Sequence, residues 1–573
     1  MSIIQVAGFA GENRALHPKL LPPTVGVSSL NQKPGRGDFR PWKQPTTVAT
    51  VPGGRQTIYR MGRDVASDSQ YWLSWTGLVH AVRAPGPTDT SEWTCYSGDG
   101  EPKITNTEMA LAAPPYPTTN RPLGLPAPTA APSVAVGDPG TVEAELVTIF
   151  YLYTYVNDWG WESAPSPVSA QLSRYADGTT TIGDFTAPPA GNYNVNRIRV
   201  YRTATGATGA TDFYFLREIS YGTATTTDDN RALGELLPTT GWLPAPGIAT
   251  GGAVSVTEQA LSYLTSMWNG MLAGISGDSI RFCEPFTPYA WPVAYDIVPP
   301  DSKPLALGVF GQSLLVLTTG RPLLVAGSTP EAMDQQPIEM PQACVAPRSA
   351  VSMGNGVAWA SEDGLCWFGS GGGRLLTAGL MTREDWQALA PSTMTGKWFE
   401  GLYFGTYDNG SGRKGFLIDP QNPTGIFFLS TAYEVMHFDE LRDQLYVLNS
   451  TNVQKWDAGS AMTATFRSKV FEQPEPENFA CMRVIADAYP VTVRVDAVDV
   501  LAADVTKLVN LRPGVYTAPV STALRYAVSV PSRNLLRLPA DYLASAYQIE
   551  IEGTAAVQAV VLATSTKELT QQP

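Results

Sequence analysis

The chain has 573 residues, room for three to four domains at about 150 residues each, and carries 39 Lys and Arg against 52 Asp and Glu, a formal net charge of −13. Gly (52) and Pro (47) make up about a sixth of it, while only 16% of residues are charged. This composition excludes a disordered or collagen-like chain and points to short strands broken by turns, an all-β protein.

No apolar run reaches the roughly 20 residues that cross a bilayer. The best, Ala306 to Thr319, is interrupted by Gly308, Gly311, Gln312 and Ser313. Met1-Ser2-Ile3-Ile4-Gln5 shows no basic n-region followed by an apolar h-region, so no signal peptide is expected. Cys95, Cys283, Cys344, Cys366 and Cys481 are odd in number and never form a C-x-x-C pair, so they read as reduced core residues made in a cytoplasm. With only His17, His80 and His437 present, no His-rich metal centre is expected.

Residues 1–55 read as an extended, basic, Pro-rich arm. Residues 1–60 hold eight basic side chains against Glu12 and Asp38, a net +6 that leaves −19 for the remainder. The bland reading is a solvated arm with ordinary Lys and Arg. The sharper one lays the arm along an acidic neighbouring subunit, with Arg14, Lys19, Lys33, Arg36, Arg40 and Lys43 as candidate assembly contacts. The acidic body argues against tight DNA binding, which needs a basic surface.

Residues 56–113 read as the N-terminal part of a β-propeller, with a hairpin over Gln70 to Val82 followed by Trp93-Thr94-Cys95-Tyr96 and a Ser97-Gly98-Asp99-Gly100 turn. Residues 114–139 contain eight prolines and read as a stiff linker. Residues 140–250 read as an inserted fibronectin type III-like β-sandwich. It has a long strand from Leu146 to Val156, a turn at Asn157-Asp158-Trp159-Gly160, Ile198 and Val200 opposed to Arg197 and Arg199, and a strand from Phe213 to Ile219.

Residues 251–463 carry a repeat and read as the rest of the propeller. Its units begin near Asn269, Gly311, Gly354, Glu400 and Arg442, at offsets of 42, 43, 46 and 42. Each is an apolar strand, a polar turn and a second apolar strand, the hairpin of a four-stranded blade. With the earlier segment this gives about six blades, the N-terminal part closing against the last because an open ring leaves strand edges unpaired. Thr382 to Leu389 predicts a capped helix and Pro330 opens a short helical turn. Residues 464–573 read as a C-terminal β-sandwich, with Val491, Val493 and Val495 on one face, and Tyr547, Ile549 and Ile551 alternating with Gln548, Glu550 and Glu552.

Chemical motifs are few, and no enzyme, catalytic residue, cofactor or metal ligand is expected. Ser361-Glu362-Asp363-Gly364 is a defective Asp-box and reads as a blade turn. Gly369 to Arg374 is glycine-rich without a P-loop ending, and Arg36-Gly37-Asp38 reads as a turn. Glu362/Asp363, Glu384/Asp385 and Asp439/Glu440 are adjacent carboxylates, which usually point apart rather than face one glycosidic bond. Trp72/Trp75 and Trp159/Trp161 suit either sugar stacking or the core, with the core favoured.

The stretches Gly8 to Leu16, Ser28-Ser29-Leu30-Asn31, Gly35 to Trp42, Phe282-Cys283-Glu284-Pro285, Ala290-Trp291-Pro292, Gly308 to Ser313, Thr319-Gly320-Arg321-Pro322, Gln342-Ala343-Cys344-Val345 and the Ser361-to-Gly364 turn together resemble the nozzle proteins of short-tailed bacteriophages, also called tail tubular protein B or tail hub proteins. The resemblance covers most of residues 1–460 and is looser beyond. It implies a structural virion protein, assembled in the host cytoplasm into a hexameric ring below the portal and its adaptor. It further implies contacts with tail fibres or spikes and a channel through which double-stranded DNA passes without specific binding. Deleting residues 1–40 is then expected to block tail attachment and leave a folded propeller. The competing expectation is a phage receptor-binding or glycan-degrading propeller protein; a bacterial surface adhesin is a third.

Overall fold

Runs of β-branched, aromatic and aliphatic residues, punctuated by Gly, Asn and Asp, fold as mostly short and mostly antiparallel strands in the computed structural model. It describes residues 3–62, 67–86, 90–204, 212–251, 258–502, 516–517, 524–539 and 542–570. The chain is an all-β protein of β-propeller type, with six blade sheets among the described residues, an inserted fibronectin type III-like β-sandwich and a C-terminal β-sandwich. It divides into two compact units, residues 51–341 and residues 1–50 with 342–573, and each holds three blade sheets.

In the 51–341 unit, the first blade runs His80–Arg83, Thr94–Ser97, Lys103–Thr105 and Arg121–Pro122. The second runs Ser262–Ser266, Leu272–Ser276 and Ser279–Phe282, and Ile297 extends it by exchanging both backbone bonds with Ile280. The third runs Pro304–Phe310, Ser313–Thr318, Leu323–Ala326 and Asp334–Pro337. Leu314, Leu315, Val316 and Leu317 are all fully buried, as an unbroken apolar run must be when both faces of a strand are covered.

The expected hairpin over Gln70 to Val82 does not form. Trp72–Trp75 pairs with Thr57–Arg60 in a separate two-stranded ribbon, while His80–Arg83 opens the first blade. The blade hairpin lies one strand later, around Gly98. That residue holds a φ of +99°, and an added Cβ would sit 2.1 Å from the carbonyl oxygen of Leu78.

Residues 114–139 are not a free linker. Arg121–Pro122 closes the first blade, Leu123, Leu125 and Ala127 are buried, and Ser133–Asp138 is already a sandwich strand. Proline is tolerated there because an edge strand leaves alternate N–H positions unused. The inserted sandwich packs one sheet of Ser133–Asp138, Thr179–Gly183 and Thr225–Asp228, and another of Tyr151–Asn157, Val195–Thr203 and Phe213–Ser220. The single strand expected from Leu146 to Val156 breaks at Phe150; Leu146–Ile149 pairs with Leu172–Tyr175 instead. Tyr151, Tyr153, Tyr155, Ile198 and Val200 fill its core.

In the other unit the fourth blade runs Val351–Ser352, Gly356–Ala360, Leu365–Gly369 and Gly372–Leu375. The fifth runs Thr395–Phe399, Leu402–Asp408, Arg413–Ile418 and Phe427–Leu429. Met436–Asp439, Gln444–Asn449 and Asn452–Lys455 form the sixth, and Thr46–Thr50 from the N-terminal segment supplies its fourth strand. All five repeat units thus form the expected hairpins. The helix Arg383–Gln387 is capped by Thr382, which accepts from the Asp385 N–H, and Pro330–Ala332 is a single 3-10 turn.

The C-terminal sandwich alternates as its sequence requires. Val491, Val493, Val495, Tyr547, Ile549 and Ile551 are fully buried, and Arg494 on the opposite face bonds Glu550 and Glu552 at 2.7 and 2.6 Å.

The first fifty-five residues depart most from expectation. Ile3–Ala7 pairs antiparallel with Val557–Ala563 in the C-terminal sandwich. Ser28–Leu30 lies between Phe427–Leu429 and Ala464–Arg467, joining the fifth blade to that sandwich. Phe9, Phe39 and Trp42 are buried. The segment is therefore not an extended arm, and deleting residues 1–40 strips two strands from the unit instead of releasing a folded body. Proline and basic residues suggested an arm because short apolar anchors such as Ile4, Val6 and Phe9 are too sparse to register as strands.

Candidate assembly surface and an aromatic hollow

Of the six basic residues named as assembly contacts, four have their side chains engaged within their own chain. Arg14 donates through Nε to Glu12 at 2.6 Å and covers the Phe428 ring at 4.4 Å. Glu12 is buried, which pushes its carboxyl above the usual range even though Arg14 and the Ser29 N–H pull the other way. Lys19 pairs with Glu472 at 2.7 Å. Lys33 reaches Glu400 and Asp457, both at 2.7 Å, over the Trp42 ring. Partial burial opposes its charge, and the two carboxylates outweigh that, holding the ammonium above its ordinary range.

Arg40 pairs with Asp38 at 2.9 Å, and the backbone N–H of Lys43 donates to Asp457. Arg36 is exposed, at the tip of the Arg36-Gly37-Asp38 bend. Besides the exposed Arg14, Arg36 and Lys43, this segment presents apolar side chains outward: Leu16 is 42% and Leu20 72% exposed, on the turn after Arg14. Sequence reading missed them because it weighed charge alone.

The remaining motifs resolve as turns and core. Ser361 and Gly364 close the turn between Gly356–Ala360 and Leu365–Gly369, and Asp363 binds Gln342 and Arg383 while Glu362 binds Gln387. Gly369 to Arg374 is a tight hairpin whose Arg374 donates to the Pro420 carbonyl. The five cysteines are buried and free, and burial pushes the Cys283 thiol up to about 12. Trp72 and Trp75 are each 4% exposed. Among the described residues no helix is long and apolar enough to cross a membrane.

Trp159 and Trp161 behave differently. Asn157 accepts from both their backbone N–H groups, at 3.0 and 2.9 Å, bending the sandwich turn so that the two indoles meet edge to face at 5.0 Å. Trp93, entering the first blade, meets Trp159 edge to face at 4.6 Å. Tyr289 stacks on Trp161 at 4.6 Å and 17°. The indoles, with Ala84, Pro85 and Pro288, line an open cavity of about 330 Å³. Arg121 lies 3.7 Å over Trp159 and grips Asp158 with two bonds of 2.5 and 2.9 Å. That grip holds the Asp158 carboxyl below the usual carboxylate range.

Neither a protein-family model nor a curated protein sequence matches the chain. Among solved structures it is similar to the WD40 domain of Toxoplasma gondii coronin, at 11% identity over 65% of this chain and 80% of that one, with a TM-score of 0.24. It is also similar to BBS1N, from its complex with ARL6DN, at 12% identity over 73% and 96%, TM-score 0.28. A third likeness is to the β-propeller domain of the Trilobed protease from Pyrococcus furiosus, at 10% identity over 57% and 96%, TM-score 0.23. The propeller assignment rests on the order of the chain's own blade sheets.

Proposed function

We propose that this chain is a subunit of the tail nozzle of a short-tailed bacteriophage, a ring below the portal and adaptor through which genomic DNA leaves. The observation that supports the reading is architectural: the chain joins propeller blades to two β-sandwiches, and the resemblance to nozzle proteins implies a propeller with extra β-domains.

Charge adds to it. Residues 51–341 hold 15 Lys and Arg against 27 Asp and Glu, a net −12, while the rest of the chain is nearly neutral at −1. A wall of like charge repels phosphates and lets DNA slide without gripping it. In this reading the 51–341 unit contributes to the bore, and a density map of the assembled ring with a basic or neutral bore overturns that assignment. A closed ring uses a heterologous interface. The turn carrying Leu16 and Leu20 is the part of the N-terminal segment that faces a neighbouring subunit.

The test of the role is immunogold electron microscopy of particles, with antibody to this chain. Label at the distal end of a short tail, at one vertex, is the expected result. Label on peripheral appendages moves the protein to receptor binding, and protein free in the lysate with unlabelled particles removes it from the virion.

A further inference from the structure

We propose that the hollow between Trp93, Trp159 and Trp161 is a saccharide subsite that takes one pyranose ring. The inference stands on the geometry of the 51–341 unit and does not depend on the nozzle reading.

A pyranose has one apolar face of C–H bonds and a rim of hydroxyls. The face is drawn to the electron-rich face of an indole, and the rim needs donors and acceptors nearby. The hollow supplies both. Its walls are three indoles set edge to face, so two walls meet at a corner, with Pro288 and the Ala84-Pro85 backbone as further sides. Next to the Trp159 wall, Arg121 lies 3.7 Å over that indole and pairs with Asp158 through two bonds. This pair offers guanidinium donors and carboxylate acceptors side by side, the combination that vicinal hydroxyls match.

Trp93, Trp159 and Trp161 pack on one side against the buried cluster of the unit, yet unlike Trp72 and Trp75 they are only half-buried and border open space. Size selects the occupant further. About 330 Å³ lies at the lower end of the roughly 300–1,000 Å³ of ligand pockets, which suits a single ring. A polyproline segment, which also favours aromatic walls, needs an extended groove with parallel slots.

The test is saturation-transfer NMR on the full chain with the methyl pyranosides of glucose, galactose, mannose and N-acetylglucosamine, with decaproline as the competing probe. At least one pyranoside is expected to receive saturation, strongest on its C–H face. Trp159→Ala should weaken its binding at least tenfold. Asp158→Asn and Arg121→Gln, which alter only the pair next to the Trp159 wall, should weaken it several-fold with an unchanged melting temperature. Absence of transfer to all four sugars overturns the proposal. So does transfer that survives both of these polar substitutions unchanged, or binding of decaproline alone.

Discussion

Asp296 sits 2.6 Å from Arg281 Nε, and Glu258 lies 2.6 Å from the same guanidinium. Burial pushes the Asp296 carboxyl up to about 6, with Arg281 pulling down and Glu258 pushing up. Between the ordinary aspartate value and about 6, the folded chain therefore holds a proton that the unfolded chain has lost. Stability from this group is full below that window and is lost as pH rises through it. The loss is about 1–2 kcal/mol once solvent screening of a half-buried group is allowed for. Chemical denaturation at pH 4.5 and 7 should show this difference, and Asp296→Asn should flatten it; an unchanged profile in the variant rules the group out. Gly98→Ala is expected to cost about 2 kcal/mol or more, from the left-handed backbone and the clash with the Leu78 carbonyl together. A melting temperature equal to the parent's would refute that. At this scale the sequence was legible where a side chain had one possible use: Val493 and Ile551 read as core and are core. The half-buried indoles of Trp159 and Trp161 were not, because their hollow needs Trp93 and Pro288 from distant parts of the chain.

Strands whose apolar residues run continuously or alternate cleanly were readable as elements, and their turns placed the hairpins. The N-terminal strands were not, since Ile3–Ala7 and Ser28–Leu30 are short and each acquires its pattern only from partners more than 390 residues away. Ile4 and Val6 are 2% and 1% exposed. Removing them should cost about 3–6 kcal/mol at 1.5–3 kcal/mol per buried aliphatic side chain, a large part of ordinary domain stability. A chain lacking residues 2–7 should therefore unfold at markedly lower denaturant, with faster amide exchange in Val557–Ala563. Parent-like exchange there would contradict the pairing. The exposed turn makes the opposite prediction. Under the proposed ring arrangement, Leu20→Glu should leave the melting temperature unchanged and abolish assembly in sedimentation velocity; assembly equal to the parent's would free that turn of any such role.

The two units differ in how their chain is organised. Residues 51–341 are one continuous stretch with their own buried clusters, whereas the other unit needs residues 1–50 and 342–573 together. Expressed alone, 51–341 is expected to be soluble and to unfold cooperatively, while 342–573 alone lacks a blade strand and a sandwich edge and should aggregate. Recovery of a cooperatively folding 342–573 would show that the N-terminal strands are dispensable. Local patterns of apolar and turn-forming residues were enough to give the all-β class, the hairpins of the five repeat units and the alternating C-terminal core, but not the Gln70 to Val82 hairpin, which does not form. Only the tertiary structure decided that the basic N-terminus is woven into sheets, that the Pro-rich stretch closes a blade, and that Trp93, Trp159 and Trp161 share a hollow. Pairing between residues far apart in the chain is chosen by burial and backbone hydrogen bonding in the folded state, and no local pattern carries it.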